Sequence, residues 1–429
     1  MMVAVLFISL AVTLLMGIPV AFSMGISTML ALVVVKSVPL VILVQRVVDG
    51  INSFTLLALP LFVLSGAIMA YGSTPRIMKV ANMLLHKKPW GIGNAGIWGC
   101  AAFGTISGSA VATTAAIGSV IAPEMVKNGY KKGYVASIIA ASGTLGAIIP
   151  PSIAFIVYAQ ISGVSIKDMF MAGFLPGILI AILLSMYNRY KVQKNGWGRN
   201  YDTSFYDNIT RKEKMKIVLD AIPPLLMPVI ILGGVLSGIC TPTEASAVAV
   251  VYSLVLSMFV YRALGFKEMI KVFERSVITS CTILLIIGFA NPFAWLMAAQ
   301  NITTVVANWV LNLSGSIVVV YGAIIIILII LGTFMEGLAI SLITVPIFLP
   351  IVSRFGVDPI AYGITSGLCG SVGTITPPLA VTLFTSCRIV KIRVDESFPE
   401  ILEVVAIMTI SVILVTIFPQ ISTFLPSIF

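Results

Sequence analysis

Charge is scarce in this chain: Asp, Glu, Lys and Arg make up 10% of the 429 residues, and no stretch is long and polar enough to form a soluble domain. Histidine occurs once, as His86 in the basic segment His86-Lys87-Lys88, where it reads as solvated. With no histidine or acid pair deep in a helix there is no nucleophile–base constellation, and no enzymatic role is expected. The five cysteines, Cys100, Cys240, Cys281, Cys369 and Cys387, stand singly in or beside apolar runs. Without a short paired spacing they read as packing residues and not as a zinc or redox site. A phosphate-binding loop is also missing, so any work this chain performs must draw on an ion gradient or on another chain. No cofactor is expected.

What is abundant is apolar surface, at 59% of residues, in runs of about twenty that recur from end to end. The fold expected is an all-α polytopic membrane protein. The first run continues past Val35 with no small-residue cleavage site, so it reads as membrane-spanning and not as a removed signal peptide. Crossings are expected near 3–16, 19–35, 54–73, 133–160, 168–189, 218–240, 244–262, 276–299, 357–386 and 398–427. With the stretch 316–352 this gives about ten or eleven membrane helices.

Two of those crossings are broken in the same way, by Gly143-Thr144-Leu145-Gly146-Ala147-Ile148-Ile149-Pro150-Pro151 and by Gly370-Ser371-Val372-Gly373-Thr374-Ile375-Thr376-Pro377-Pro378. Proline removes a backbone donor, and lipid cannot replace the lost bond, so such breaks are tolerated only against protein or a wet cavity. The duplication extends further: Gly104-Thr105 is matched by Gly332-Thr333, Pro123 by Pro350 and Gly129 by Gly356, at a spacing that varies by one residue. Residues 75–85 and 303–313 match as short amphipathic helices lying along the membrane surface. Stretch 91–126 reads as a re-entrant hairpin, and 316–352 as a helix followed by, or folded into, a second hairpin expected at about 333–352. The domain division is a first repeat over 1–217, with a cytoplasmic loop at 190–217, and a second over 218–429. An odd number of crossings per repeat makes the two copies inverted.

Charge placement gives an independent topology. If 190–217 is cytoplasmic, all of the 26 Lys and Arg residues fall on that side except Lys36, Arg46, Lys167 and Arg354. This is the positive-inside pattern, with both termini outside and the two hairpins opening to opposite faces. The net charge of +10 is therefore a topology signal and not a nucleic-acid footprint.

The first hairpin turns at Ser107-Gly108-Ser109, followed by Thr113 and Thr114. Small residues there serve close helix packing, or their hydroxyls and freed carbonyls serve as hard oxygen ligands for a small cation. In each break one half-helix ends in carbonyls, which attract cations, and the next begins with N–H groups, which attract carboxylates. Ser152 and Thr376 can add hydroxyl contacts to a polar ligand. Glu336, in Phe334-Met335-Glu336-Gly337, is an ionisable residue at the second turn: a functional candidate, or a hairpin tip in water. Thr241-Pro242-Thr243-Glu244 reads as a helix start with Thr243 as the cap. Trp90, Tyr130, Tyr134 and Trp309 read as interfacial anchors.

In combination, Ser107-Gly108-Ser109-Ala110-Val111-Ala112, Pro123 to Tyr130, Ile149-Pro150-Pro151-Ser152, Thr241 to Ala245 and Ile375-Thr376-Pro377-Pro378 resemble the large membrane subunit of tripartite ATP-independent periplasmic (TRAP) transporters. The resemblance implies a sodium-driven importer in the bacterial inner membrane, working by an elevator motion of a transport domain against a scaffold. It also implies two partners, a small four-helix membrane subunit expected on a second polypeptide and a periplasmic binding protein that delivers an organic acid. Carried over by residue, one sodium site falls at Ser107, Ser109, Gly143 and Gly146, and a second at Gly337, Gly370, Gly373 and Thr376. Substrate falls between them, at Ser107, Ser152 and Glu336. The sequence departs from the family's pattern at Thr113 and Glu336, where Asp is common, and at Ala380, where Gly is common. A stand-alone carboxylate–sodium symporter of the divalent-anion type is the alternative.

Overall fold

A computed structural model describes residues 2–35, 38–198, 208–301 and 316–428. Among these the chain is all helix, running α1 (Met2–Leu15), α2 (Val20–Val35), α3 (Val41–Ile51), α4 (Ala58–Leu85), α5 (Gly91–Ser107), α6 (Ala110–Lys127), α7 (Lys132–Gly143), α8 (Leu145–Ile148), α9 (Ile153–Ser162) and α10 (Ile166–Asn195). It continues with α11 (Arg211–Leu236), α12 (Pro242–Leu254), α13 (Phe266–Ala299), α14 (Ile317–Phe334), α15 (Gly337–Arg354), α16 (Pro359–Gly373), α17 (Val381–Val390), α18 (Glu400–Ile417) and α19 (Gln420–Ile428). Eight helices among the described residues are long and apolar enough to cross a membrane, or nine if the bent pair around the first Pro-Pro counts as one span. That is fewer than the sequence suggests. Helices α1 and α2 are short, parted where Gly17 takes a left-handed φ of +79° before Pro19. Residues 398–427 likewise form two helices, α18 and α19, parted at Phe418-Pro419.

Other boundaries also move. The stretch 316–352 is two helices of 18 residues each, α14 and α15, meeting at Met335-Glu336. Much of 190–217 is helical, because α10 runs to Asn195 and α11 starts at Arg211. The matched segment 303–313, with Trp309, lies outside the described residues. Its counterpart 75–85 is the second part of α4, set off by a kink where Tyr71 and Gly72 leave helical geometry, Gly72 at φ +90°. Packing satisfies the kink: Ser257, in the π-helical turn Val255–Val260 after α12, lies within hydrogen-bond reach of the carbonyls of Ile68 (3.1 Å) and Tyr71 (3.2 Å). Ser257→Ala should lower stability by about 1–2 kcal/mol by leaving a buried carbonyl without a donor. Thermal unfolding of the purified protein would measure this, and an unchanged transition would rule it out.

The helix start at 241 is a capping box, but its cap is Thr241 and not Thr243. Glu244 returns to the Thr241 N–H at 2.8 Å, while Thr243 reaches across to the Phe54 carbonyl at 3.2 Å. His86 is buried, with Nδ1 2.7 Å from the Met83 carbonyl, so the solvated reading is corrected. Tyr130 and Tyr134 are buried too, packed on each other and on Trp197 with ring centres 5.0–6.3 Å apart, so they are core residues and not interfacial anchors. The Tyr134 hydroxyl donates to Asn188 Oδ1 at 2.8 Å. Asn188 Nδ2 in turn donates to Asn94 Oδ1 (2.6 Å) and the Trp90 carbonyl (3.0 Å). That chain ties α5, α7 and α10 together. On the adjoining helix, buried Glu400 pairs with Lys131 at 2.6 Å.

Candidate functional site

The first hairpin tip forms because Ser107 ends α5, Gly108 turns the chain left-handed at φ +60°, and Ser109 starts α6 by accepting from the Ala112 N–H. A side chain at Gly108 would sit 2.8 Å from the Pro151 carbonyl, so only glycine lets the tip dock on the break. The Ile153 N–H donates to the Gly108 carbonyl at 3.4 Å across that contact. Ser107 Oγ and Thr113 Oγ1 are 2.6 Å apart, and Ser107 is 5% exposed.

In the break itself α7 ends at Gly143, α8 adds a single turn, and a cis Pro150-Pro151 bond leads into α9, with a 47° bend overall. Ser152 is buried. It caps α9, accepting from the Phe155 N–H and donating to the Ala147 carbonyl at 2.6 Å. Gly146 lies under the tip, where a methyl group would overlap Thr113 Oγ1 and come within 2.7 Å of the Ser109 carbonyl. A methyl group at Gly143 would overlap the Thr114 hydroxyl. Ser107, Ser109, Gly143 and Gly146 are thus gathered in one place together with Thr113, whose hydroxyl stands where the family's acid is common.

The second tip and break repeat this plan. Met335 and Glu336 are extended, Gly337 opens α15, and the Leu379 N–H donates to the Thr333 carbonyl at 3.0 Å, much as Ile153 does to Gly108. A cis Pro377-Pro378 bond again interrupts the chain. Gly104 crosses Gly146 so closely that a methyl group on it would lie 2.9 Å from the Gly146 Cα, and a methyl group on Gly332 would lie 2.8 Å from the Gly373 Cα. Gly337 and Gly370 also meet, a methyl group on Gly370 lying 3.2 Å from the Gly337 Cα. Thr376 Oγ1 donates to the Val372 carbonyl at 2.7 Å, and Thr382 donates to the Thr374 carbonyl through both its N–H and its hydroxyl. Ala380 is left-handed at φ +37°, a conformation that explains why glycine is common there.

Between the two tips lies an open cavity lined by Ser109, Glu336, Gly337 and Gly370 among others. Ser107, Ser152, Gly143, Gly146, Gly373 and Thr376 are not in its wall. Sequence reading missed Thr279, Ser341, Ser371, Thr374 and Thr382, which add hydroxyls to the lining. Ser371 and Thr374 lie inside the second break and were legible from it, whereas nothing local marks Thr279 on α13. Glu336 is the one charged side chain in the lining among the described residues. No three His, Cys, Asp or Glu side chains gather among those residues either. Hard oxygen atoms are what these walls can offer a cation.

A family model described as the DctM component of the tripartite ATP-independent periplasmic transporter matches residues 7–421. The C4-dicarboxylate TRAP transporter large permease protein DctM of Pseudomonas aeruginosa is 35% identical over 94% of each chain. The sialic acid TRAP transporter large permease protein SiaM of Vibrio cholerae is 32% identical over 96% of each. The isethionate TRAP transporter permease protein DctMQ of Oleidesulfovibrio alaskensis is 35% identical over 98% of this chain, which spans 66% of that longer protein. Among solved structures, the YdaH transporter of Alcanivorax borkumensis is similar in fold alone, at 15% identity and a TM-score of 0.58 over 89% of this chain and 88% of that one. None of this favours the stand-alone divalent-anion alternative. With a family model that spans both hairpins and both breaks, the chain belongs to the tripartite ATP-independent periplasmic transporter family as its DctM component, the large membrane permease.

Proposed function

We propose that this chain is the large permease subunit of a sodium-coupled importer of an organic acid, of the C4-dicarboxylate, sugar-acid or sialic-acid type, in the bacterial inner membrane. Its partners are a small membrane subunit and a periplasmic binding protein, its termini face the periplasm, and the hairpins and breaks of two inverted repeats move as an elevator against a scaffold. The supporting observation is the charge of the cavity, where Glu336 stands with no cationic side chain in the described lining. Two like unit charges about 4 Å apart repel by about 4 kcal/mol at an effective dielectric near 20, or roughly a thousandfold in affinity. A carboxylate substrate beside an ionised Glu336 would need cations bound with it, and the two oxygen-rich tip-and-break contacts flank the cavity where sodium ions would serve.

The roles follow from position. The Ser107–Thr113 hydroxyl pair and the Ser109 carbonyl suit the first sodium ion, and Gly337, Gly370 and Thr376 suit the second. Ser109 and Glu336 would meet the substrate. Ser152, capping α9, would act by holding the break in shape.

Uptake into proteoliposomes is expected to require an inward sodium gradient, the small subunit and the loaded binding protein. Ser107→Ala and Thr376→Val should each raise the sodium concentration for half-maximal uptake by about tenfold, the scale of one lost hydrogen-bonding group. Full transport by this chain alone would sink the tripartite reading, and unchanged sodium activation in both variants would remove the ion-site assignment.

A further inference from the structure

Two grooves adjoin on the part of α4 that follows its kink, and the proposed transport cycle uses neither. One is basic: Arg76 and Lys79 of α4 and Lys216 of α11 border an opening of ≈ 940 Å³. Glu213 and Asp220 border it too. Three cations thus face two carboxylates, and the Glu213 carboxylate is turned to its own helix start, where it accepts from the Thr210 N–H at 2.7 Å and the Thr210 hydroxyl at 2.8 Å. The other groove is apolar, ≈ 780 Å³, walled by Ile77, Val80 and Leu84 of α4, Trp98 of α5 and Leu225 of α11. Helical periodicity puts residues 76 and 79 on one face of α4 and residues 77, 80 and 84 on the next. Along α11, Lys216 and Leu225 are separated by about 13 Å of helix axis, so one wall runs from charged to apolar over the reach of a single lipid.

We propose that the two grooves together bind an anionic phospholipid, its phosphate between Arg76, Lys79 and Lys216 and an acyl chain along Ile77, Val80, Leu84 and Leu225. The charge complementarity is preorganised, because the Arg76 guanidinium is stacked 3.6 Å from the Tyr261 ring centre and bonded to the Gly72 carbonyl. The apolar groove needs a cover, since Leu84 is 72% exposed within it. A lipid seated here would tie the segment beyond the kink to α11, and so steady the approach to the first hairpin.

Binding can be read without transport, by native mass spectrometry of the whole chain released from uncharged detergent with phosphatidylglycerol, phosphatidylcholine or inorganic phosphate. Phosphatidylglycerol should be retained on the order of tenfold better than phosphatidylcholine, the effect of basic residues near an anionic headgroup. Lys79→Glu combined with Lys216→Glu should erase that preference without moving the unfolding temperature, since both side chains are exposed. Leu84→Gln should weaken phosphatidylglycerol retention, and inorganic phosphate should not displace the lipid. Equal retention of the two lipids, or an unchanged preference in the double variant, would overturn the proposal. So would full displacement by phosphate, which would mean a simple anion site, or exclusion of the lipid by a bound small membrane subunit, which would mean a helix-docking groove.

Discussion

Replacing Gly373 with alanine is expected to abolish a stable, active permease. The new methyl group would overlap the Gly332 Cα and carbonyl carbon and lie 2.6 Å from the carbonyl oxygen, all backbone atoms that no rotamer change can clear. Helices α14 and α16 would have to separate, and ordinary overpacking of a filled interior already costs about 1–3 kcal/mol. The displacement would also carry the Thr333 carbonyl away from the Leu379 N–H, which binds the second hairpin to its break. Gly104→Ala should do the same more mildly at the first crossing, where the methyl group would stand 2.9 Å from the Gly146 Cα. Size-exclusion profiles and unfolding temperatures in detergent measure the ranking. A Gly373→Ala protein as stable as the parent would mean that the two helices do not touch in this way.

The second large effect is expected at Asn188, which is not in the cavity wall. Asn188→Leu keeps the bulk but strands the Tyr134 hydroxyl and Asn94 Oδ1, both buried and both paired to Asn188 at 2.6–2.8 Å. The Trp90 carbonyl keeps a second donor in the Asn94 N–H at 3.1 Å, so two groups and not three lose their partners. At about 1–3 kcal/mol for each unpaired buried group, the loss is about 2–6 kcal/mol. Denaturant titration of the purified chain gives the number. Tyr134→Phe should relieve part of it in the Asn188→Leu background, because it deletes one of the stranded hydroxyls. If the double variant is no more stable than the single, the network does not bear this load.

The pattern of these effects reflects how differently the parts of the site are encoded. Both Pro-Pro breaks and the Ser-Gly-Ser turn are legible because their causes are local: a missing N–H, a left-handed φ, a serine placed to cap. The Asn188 network was not, because its partners lie 54 to 98 residues away in sequence and each side chain by itself resembles an ordinary helix residue. Tyr130 and Tyr134 misled for the same reason, since a tyrosine beside lysines looks interfacial until Trp197 and Asn188 are folded over it. Ile317–Phe334 stays open between a full crossing and a hairpin arm for a related reason, since it is uniformly apolar and carries no local mark that distinguishes the two.

Membrane class, the two broken segments, the first tip and the family are legible in the residues alone, because each rests on composition or on backbone chemistry within a few residues. Which hydroxyls face the cavity follows instead from how the helices pack. Ser109 reaches it, whereas Ser152 and Thr376 turn back to the Ala147 and Val372 carbonyls. A hydroxyl beside a helix break always has a local carbonyl within reach, and whether it bonds there or points to a ligand depends on how two hairpins and two breaks pack. That packing is set by glycine crossings between segments distant in the chain, and no local pattern encodes them.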